Sequence, residues 1–177
     1  MRTAIVYEGM HGSTADIAQI IASEAACHGP VIVGEVSETS LSRLEGVEFL
    51  VVGGPTHVLG DCGDEPQSIA MAHVLRESGS GSDGVRGWLD RLPTRPNFSA
   101  ATFDTRNPGL RVLTGASALG IYRALRRHRC HLVTRPVSFL VAPGAEGRLL
   151  DGEVDRAAEW AVTVMRRAEH FQPVHAG

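Results

Sequence analysis

The 177-residue chain has no lysine; all 17 of its basic residues are arginine. That absence excludes Schiff-base chemistry on a side-chain amine. It also excludes a nucleoside triphosphate loop, which ends in Gly-Lys-Ser/Thr. Cysteine is nearly as sparse: Cys27, Cys62 and Cys130 are odd in number and far apart. The spacing fits neither a disulfide framework nor a zinc ribbon and suits a reducing compartment, so a cytoplasmic location is expected. No apolar run is long enough to cross a bilayer. The opening "MRTAIVY" enters a strand-like run within three residues, so neither a targeting segment nor a membrane partner is expected. A net charge of −3 gives no general reason to expect nucleic acid.

What is present is ordinary for a globular domain: 43% hydrophobic and 21% charged residues in a length that suits one domain, over residues 1–170, with a loose tail at 171–177. "TAIVY" (3–7), "VIVGEV" (31–36), "EFLVVGG" (48–54) and "SAATFDTR" (99–106) are short apolar runs of the kind buried parallel strands need. "HLV" and "VSFLVAP" straddle Arg135-Pro136 and read as a fifth strand in two parts. Helical spacing joins Ile17, Ile20, Ile21 and Glu24, ending near His28–Pro30. A second helix starts at Pro66 and carries Ile69, Ala70, Val74 and Leu75. "SGSGSDG" (78–84) is a flexible loop. Val85, Trp88, Leu89 and Leu92 mark a short helix, and Ala118, Ile121, Tyr122 and Leu125 a longer one. A last helix is capped by Asp151 and buries Val154, Ala157, Ala158, Ala161 and Val162.

Strands alternating with helices predict an α/β fold: a doubly wound, five-stranded parallel sheet with helices on both faces. Ligands then bind beyond the carboxyl ends of the strands, where residues 8–14, 54–63 and 104–115 form the loops. In the first of these, "YEGMHGSTADIA", Gly9 to Thr14 lead into a helix. Unpaired amides and the helix dipole favour an anion there, with Ser13 and Thr14 as hydroxyl donors. G-x-G-x-x-G is absent, so this is not a dinucleotide fingerprint; a phosphate held by neutral donors, or a plain strand-to-helix turn, is what the loop allows.

"IVYEGMHGSTADIAQII" resembles the FMN-phosphate signature of the flavodoxins, with Ile5, Val6, Tyr7, Gly12, Thr14, Ala18 and Ile21 fitting it. "FLVVGGPTHVLG" is similar to the family's third strand and flavin-flanking loop. "ATFDTR" and "FLVAPGAEGRLLDGEVDRAAEW" look like the flavodoxin-family proteins common in actinobacteria, so the resemblance spans nearly the whole chain. It implies a flavodoxin-like fold, an FMN cofactor and a redox partner protein, either a reductase or an electron acceptor. The cofactor-binding residues it implies are Gly9, Met10, His11, Gly12, Ser13 and Thr14 at the phosphate, and Pro55, Thr56, His57, Val58, Gly60, Asp104, Thr105 and Arg106 about the ring. His57 is expected against the ring and Arg106 at its pyrimidine edge or paired with Asp104.

Two departures stand beside this. Gly9 replaces the signature's Ser/Thr, which removes a hydroxyl from the phosphate shell; Gly9→Ser is therefore expected to strengthen FMN binding. The ring-flanking loops also lack Trp and Tyr, the usual stacking partners. His11, His57, Asp61, Cys62 and Asp64 could gather near one end of the sheet, but no tight ligand spacing points to a metal, and none is expected. Arg123, Arg126, Arg127 and Arg129 form either a solvated helix face or a docking patch for an acidic partner. The expected function is an FMN-binding redox protein, transferring electrons or reducing a small molecule. The alternative is a flavodoxin-like domain without FMN, using the same crevice for another ligand, non-redox chemistry or protein interaction. No catalytic residue is assigned.

Overall fold

In the computed structural model, residues 1–9, 12–56, 84–94, 99–108, 117–142 and 148–171 are described. The sheet is built around β1 (Thr3–Tyr7), which pairs in parallel with β2 (Val31–Glu35) on one side and β3 (Phe49–Pro55) on the other. β4 (Ser99–Arg106) pairs with β3, again in parallel, from Phe49 opposite Ser99 to Pro55 opposite Thr105. Ala4, Ile5, Val6, Leu50, Val51 and Val52 are fully buried, because both faces of the sheet are covered. That double burial is why these strands read as continuous apolar runs instead of alternating ones.

The strand order is β2-β1-β3-β4, and the fifth position is shared by two short segments. β5 (His131–Leu132) meets Ser99 and Ala100 at the start of β4, and β6 (Val137–Leu140) meets Phe103–Arg106 at its end. The expected fifth strand is thus two strands, making six in all among the described residues. Pro136 has no amide hydrogen to give a ladder, which accounts for the break between them.

Side chains alternate between two cores. Ile5, Phe49, Val51, Ala101 and Phe103 face α1 (Ser13–Ala25) and α4 (Glu153–Glu169). Ala4, Val6, Leu50, Val52 and Ala100 face α2 (Gly84–Asp90) and α3 (Ser117–Arg127). Phe103, Phe139 and Trp160 meet edge to face, with ring centroids 6.0–6.4 Å apart. Phe103 also lies over Gly53, where a Cβ would clash with the ring. Phe171 stacks on His131 with centroids 4.0 Å apart. The helix starting at Pro66, the loop 78–84 but for Gly84, and residues 172–177 lie outside the described residues.

Two expectations for the last helix are corrected. Gly152, not Asp151, is its N-cap residue, and no side chain caps it. Its buried face is Ala157, Ala161, Val164, Met165 and Ala168, whereas Val154 is 52% exposed. The first turn turns a different residue inward: Glu153 is buried and accepts the Leu140 amide at 2.9 Å. Tying β6 to α4 in this way leaves Val154 on the outside.

Candidate functional site

The carboxyl ends of β1, β3 and β4 lie side by side, and their loops are joined by hydrogen bonds. The Glu8 amide donates to the Gly53 carbonyl at 3.0 Å, and the Thr56 amide to the Thr105 carbonyl at 2.8 Å. The hydroxyls of Thr14 and Thr105 meet at 2.6 Å in a buried contact. Seven predicted site residues, Gly9, Gly12, Ser13, Thr14, Pro55, Thr56 and Thr105, are therefore gathered at one end of the sheet by three strands.

Gly9 and Gly12 have φ angles of 111° and 91°, which side chains with a Cβ rarely adopt. They bend the chain so that it leaves β1 and enters α1 within a few residues. No side chain caps the helix, and its first intrahelical bond runs from the Asp16 amide to the Gly12 carbonyl at 3.2 Å. The amides of residues 12–15 precede that bond and are the donors a helix start leaves free. Among the described residues, a Cβ built on Gly9 or Gly12 would meet nothing within 4 Å. Ser13 and Thr14 are buried beneath it. Neutral amides at the positive end of a helix dipole form an anion cradle.

The geometry reverses the expectation for Gly9→Ser. The space beside Gly9 admits a side chain, but its φ does not, so a serine there strains the loop.

Asp104 was expected on a ring-flanking loop. Its side chain is instead fully buried within β4 and turned to α3, where Oδ2 accepts the Ala118 amide at 3.0 Å. Thr102, two residues earlier on the same face, donates to the Ala118 carbonyl at 3.2 Å. Asp104 thus anchors the start of α3, and among the described residues its Oδ1 has no hydrogen-bond partner. The alternation of Ala100, Thr102 and Asp104 against Ala101 and Phe103 carried this signal in the sequence. Arg106 ends β4 half-buried and donates to the Asn107 carbonyl at 3.5 Å. Glu8 was not singled out by the sequence; its carboxylate lies where a Cβ on Gly84 would be, 2.6 Å from that point, so β1 and α2 meet there.

Met10, His11, His57, Val58 and Gly60 lie outside the described residues, as do Asp61, Cys62 and Asp64. Among the described residues no group of three or more His, Cys, Asp or Glu side chains is placed to hold a metal. No helix among them is long and apolar enough to cross a membrane.

No protein-family model and no curated protein sequence matches this chain. Solved structures do. Oxidised flavodoxin 2 from Bacillus cereus matches at a TM-score of 0.65 and 18% identity, over 94% of this chain and 99% of its own. The fold is flavodoxin-like. A Streptococcus pneumonia flavodoxin matches equally well, with a TM-score of 0.65 and 15% identity over 94% and 99% of the two chains. The flavodiiron protein of Giardia intestinalis matches at 0.59 and 15% identity, over 96% of this chain but 36% of its own. In this flavodoxin-like frame the turn from Gly9 into α1 at Gly12 sits where the strand order reverses, between β1 and β3. That is the position at which doubly wound sheets bind ligands.

Proposed function

We propose that the crevice at the ends of β1, β3 and β4 binds FMN and that the protein is a cytoplasmic redox protein of one domain over residues 1–170. It either exchanges electrons with a partner protein or reduces a small molecule. The observation that carries this reading is the uncapped start of α1 behind Gly9 and Gly12, with open space before it and buried hydroxyls beneath. This donor set suits a phosphate monoester, because it supplies several amides and no side-chain charge. The amides of residues 12–15 and the Ser13 hydroxyl would hold the phosphate. Thr14 would be kept in place by Thr105. Pro55 and Thr56, with His57, Val58 and Gly60 beyond them, would flank the ring on one side, and Thr105 and Arg106 on the other. The flavin, when bound, supplies one- and two-electron chemistry; the protein supplies its orientation and electrostatics.

The visible absorption spectrum of the purified protein, before and after adding FMN, tests the reading. Flavin bands that stay with the protein through gel filtration, and quenching of flavin fluorescence at a one-to-one ratio, are expected. Free flavin that elutes apart from the protein rejects it. The alternative, a flavodoxin-like domain using this crevice for another ligand or contact, draws on two facts. Gly9 brings no hydroxyl, and the Thr14 hydroxyl is already engaged with Thr105.

A further inference from the structure

Helices α2 and α3 leave between them a groove of about 860 Å³. Its floor is apolar: Val85, Leu89 and Ile121 are buried, and Leu119 is 38% exposed. At Gly120 the groove reaches the backbone, where an added Cβ would meet nothing within 4 Å. Its rim is basic: Arg86, Arg123 and Arg127 face it, against a single acid, Asp90. No aspartate or glutamate lies on α3, which also carries Arg126, and Arg129 follows it. Among the described residues none of these five arginines forms an ion pair. Among the described residues the strip is therefore net positive charge on a chain whose net charge is −3.

The groove lies beside the ends of β1 and β4: the Ala118 amide, next to Leu119, donates to Asp104, and a Cβ on Gly84, next to Val85, would meet the Glu8 carboxylate. We propose that this groove docks an acidic partner protein, with an apolar ridge seated on Leu119 and Gly120 and flanking carboxylates paired with Arg86, Arg123 and Arg127. Charge of one sign around an apolar centre is the anatomy of a protein contact. A polyanion such as DNA gains nothing from the apolar floor, finds no aromatic in the lining to stack on, and is repelled by the rest of the chain. That the partner exchanges electrons rests on the FMN reading above; the docking surface itself does not.

The test is amide chemical-shift mapping of the full chain, with and without FMN, against a strongly acidic [2Fe–2S] ferredoxin as probe. DNA duplex and a basic cytochrome c are parallel titrants. Shifts centred on Leu119, Gly120 and Arg123 are expected with the ferredoxin. Binding should weaken at least about tenfold between about 50 and about 300 mM salt. Arg123→Glu with Arg127→Glu should lower affinity at least about tenfold. Gly120→Trp, which fills the groove without changing charge, should do the same while leaving the unfolding transition intact. No ferredoxin binding, shifts centred elsewhere, unchanged affinity in the variants, or equal binding of DNA or cytochrome c would each overturn the proposal. Loss of FMN binding with the groove still occupied would reject the redox reading and leave the docking surface standing.

Discussion

Thr14 and Thr105 are 91 positions apart in the chain, yet their hydroxyl oxygens lie 2.6 Å apart in a buried contact. One threonine opens α1 and the other nearly closes β4. Two hydroxyls in contact use one hydrogen between them, so only one O–H is left to donate outward. The contact fixes the start of α1 to the end of β4.

Removing either hydroxyl leaves the other buried without its partner. Thr14→Val or Thr105→Val should each cost about 1–3 kcal/mol in urea unfolding. The double variant should cost clearly less than the sum, because no orphaned hydroxyl remains. Strict additivity would mean that the two side chains stabilise the fold independently.

At Gly9 the cost should come from the backbone alone. Its φ is 111°, and an added Cβ meets nothing within 4 Å. Gly9→Ala and Gly9→Ser should therefore destabilise equally, by about 1–3 kcal/mol. Both should also weaken FMN binding, measured by fluorescence titration. Tighter binding by the serine variant would show that the loop absorbs the strain and gains from the hydroxyl.

Much of this was legible in the sequence, and the parts that were not share a cause. Four strand runs and the stripes of α1 and α3 depend on local periodicity, which burial on two faces makes strong. The turn between β1 and α1 was legible because two glycines, a serine and a threonine stand where a strand run stops and a helical stripe begins. Asp104 was misplaced because its partner, the Ala118 amide, is 14 positions away. Proximity to a turn made it look like a loop residue, while its alternation with Phe103 pointed to α3. Asp151 looked like a cap because capping is read from residue type; Glu153 bonding back to β6 is a tertiary fact. The Thr14–Thr105 pair has no local signal at all.

Asp104 holds the start of α3 through one amide, as an N-terminal carboxylate does in a helix cap. Asp104→Ala should cost about 0.5–2 kcal/mol or more, since it also leaves the Ala118 amide buried and unpaired. Asp104→Asn keeps an acceptor and should cost less. Circular dichroism and urea midpoints of the two variants check the order; a loss in Asn equal to that in Ala would show that the charge, not the acceptor, matters at this position.

The final prediction concerns pH, at the opposite end of α1. His28 Nδ1 lies 2.7 Å from Glu169 at the end of α4, and its Nε2 lies 3.5 Å from Glu24. The bond to Glu169 raises the His28 pKa above its ordinary value, against an opposing effect of burial, and Glu24 adds to the rise. The same bond lowers the Glu169 pKa. Stability from the raised histidine is complete below its ordinary value, near 6.5, and is lost as pH climbs through the folded value. Stability from the lowered glutamate is complete above its ordinary value, near 4.5, and is lost as pH falls through the folded value. The clasp should thus work fully between these two ordinary values and fade on either side. Both side chains are partly exposed, at 22% and 42%, so its contribution stays within about 0–1 kcal/mol and shrinks with salt. Urea unfolding of wild type and Glu169→Gln at acid, mildly acid and alkaline pH measures it. The stability difference should peak at the middle value and close at the other two. A difference that does not change with pH would assign the effect of Glu169 to packing and remove charge from the account.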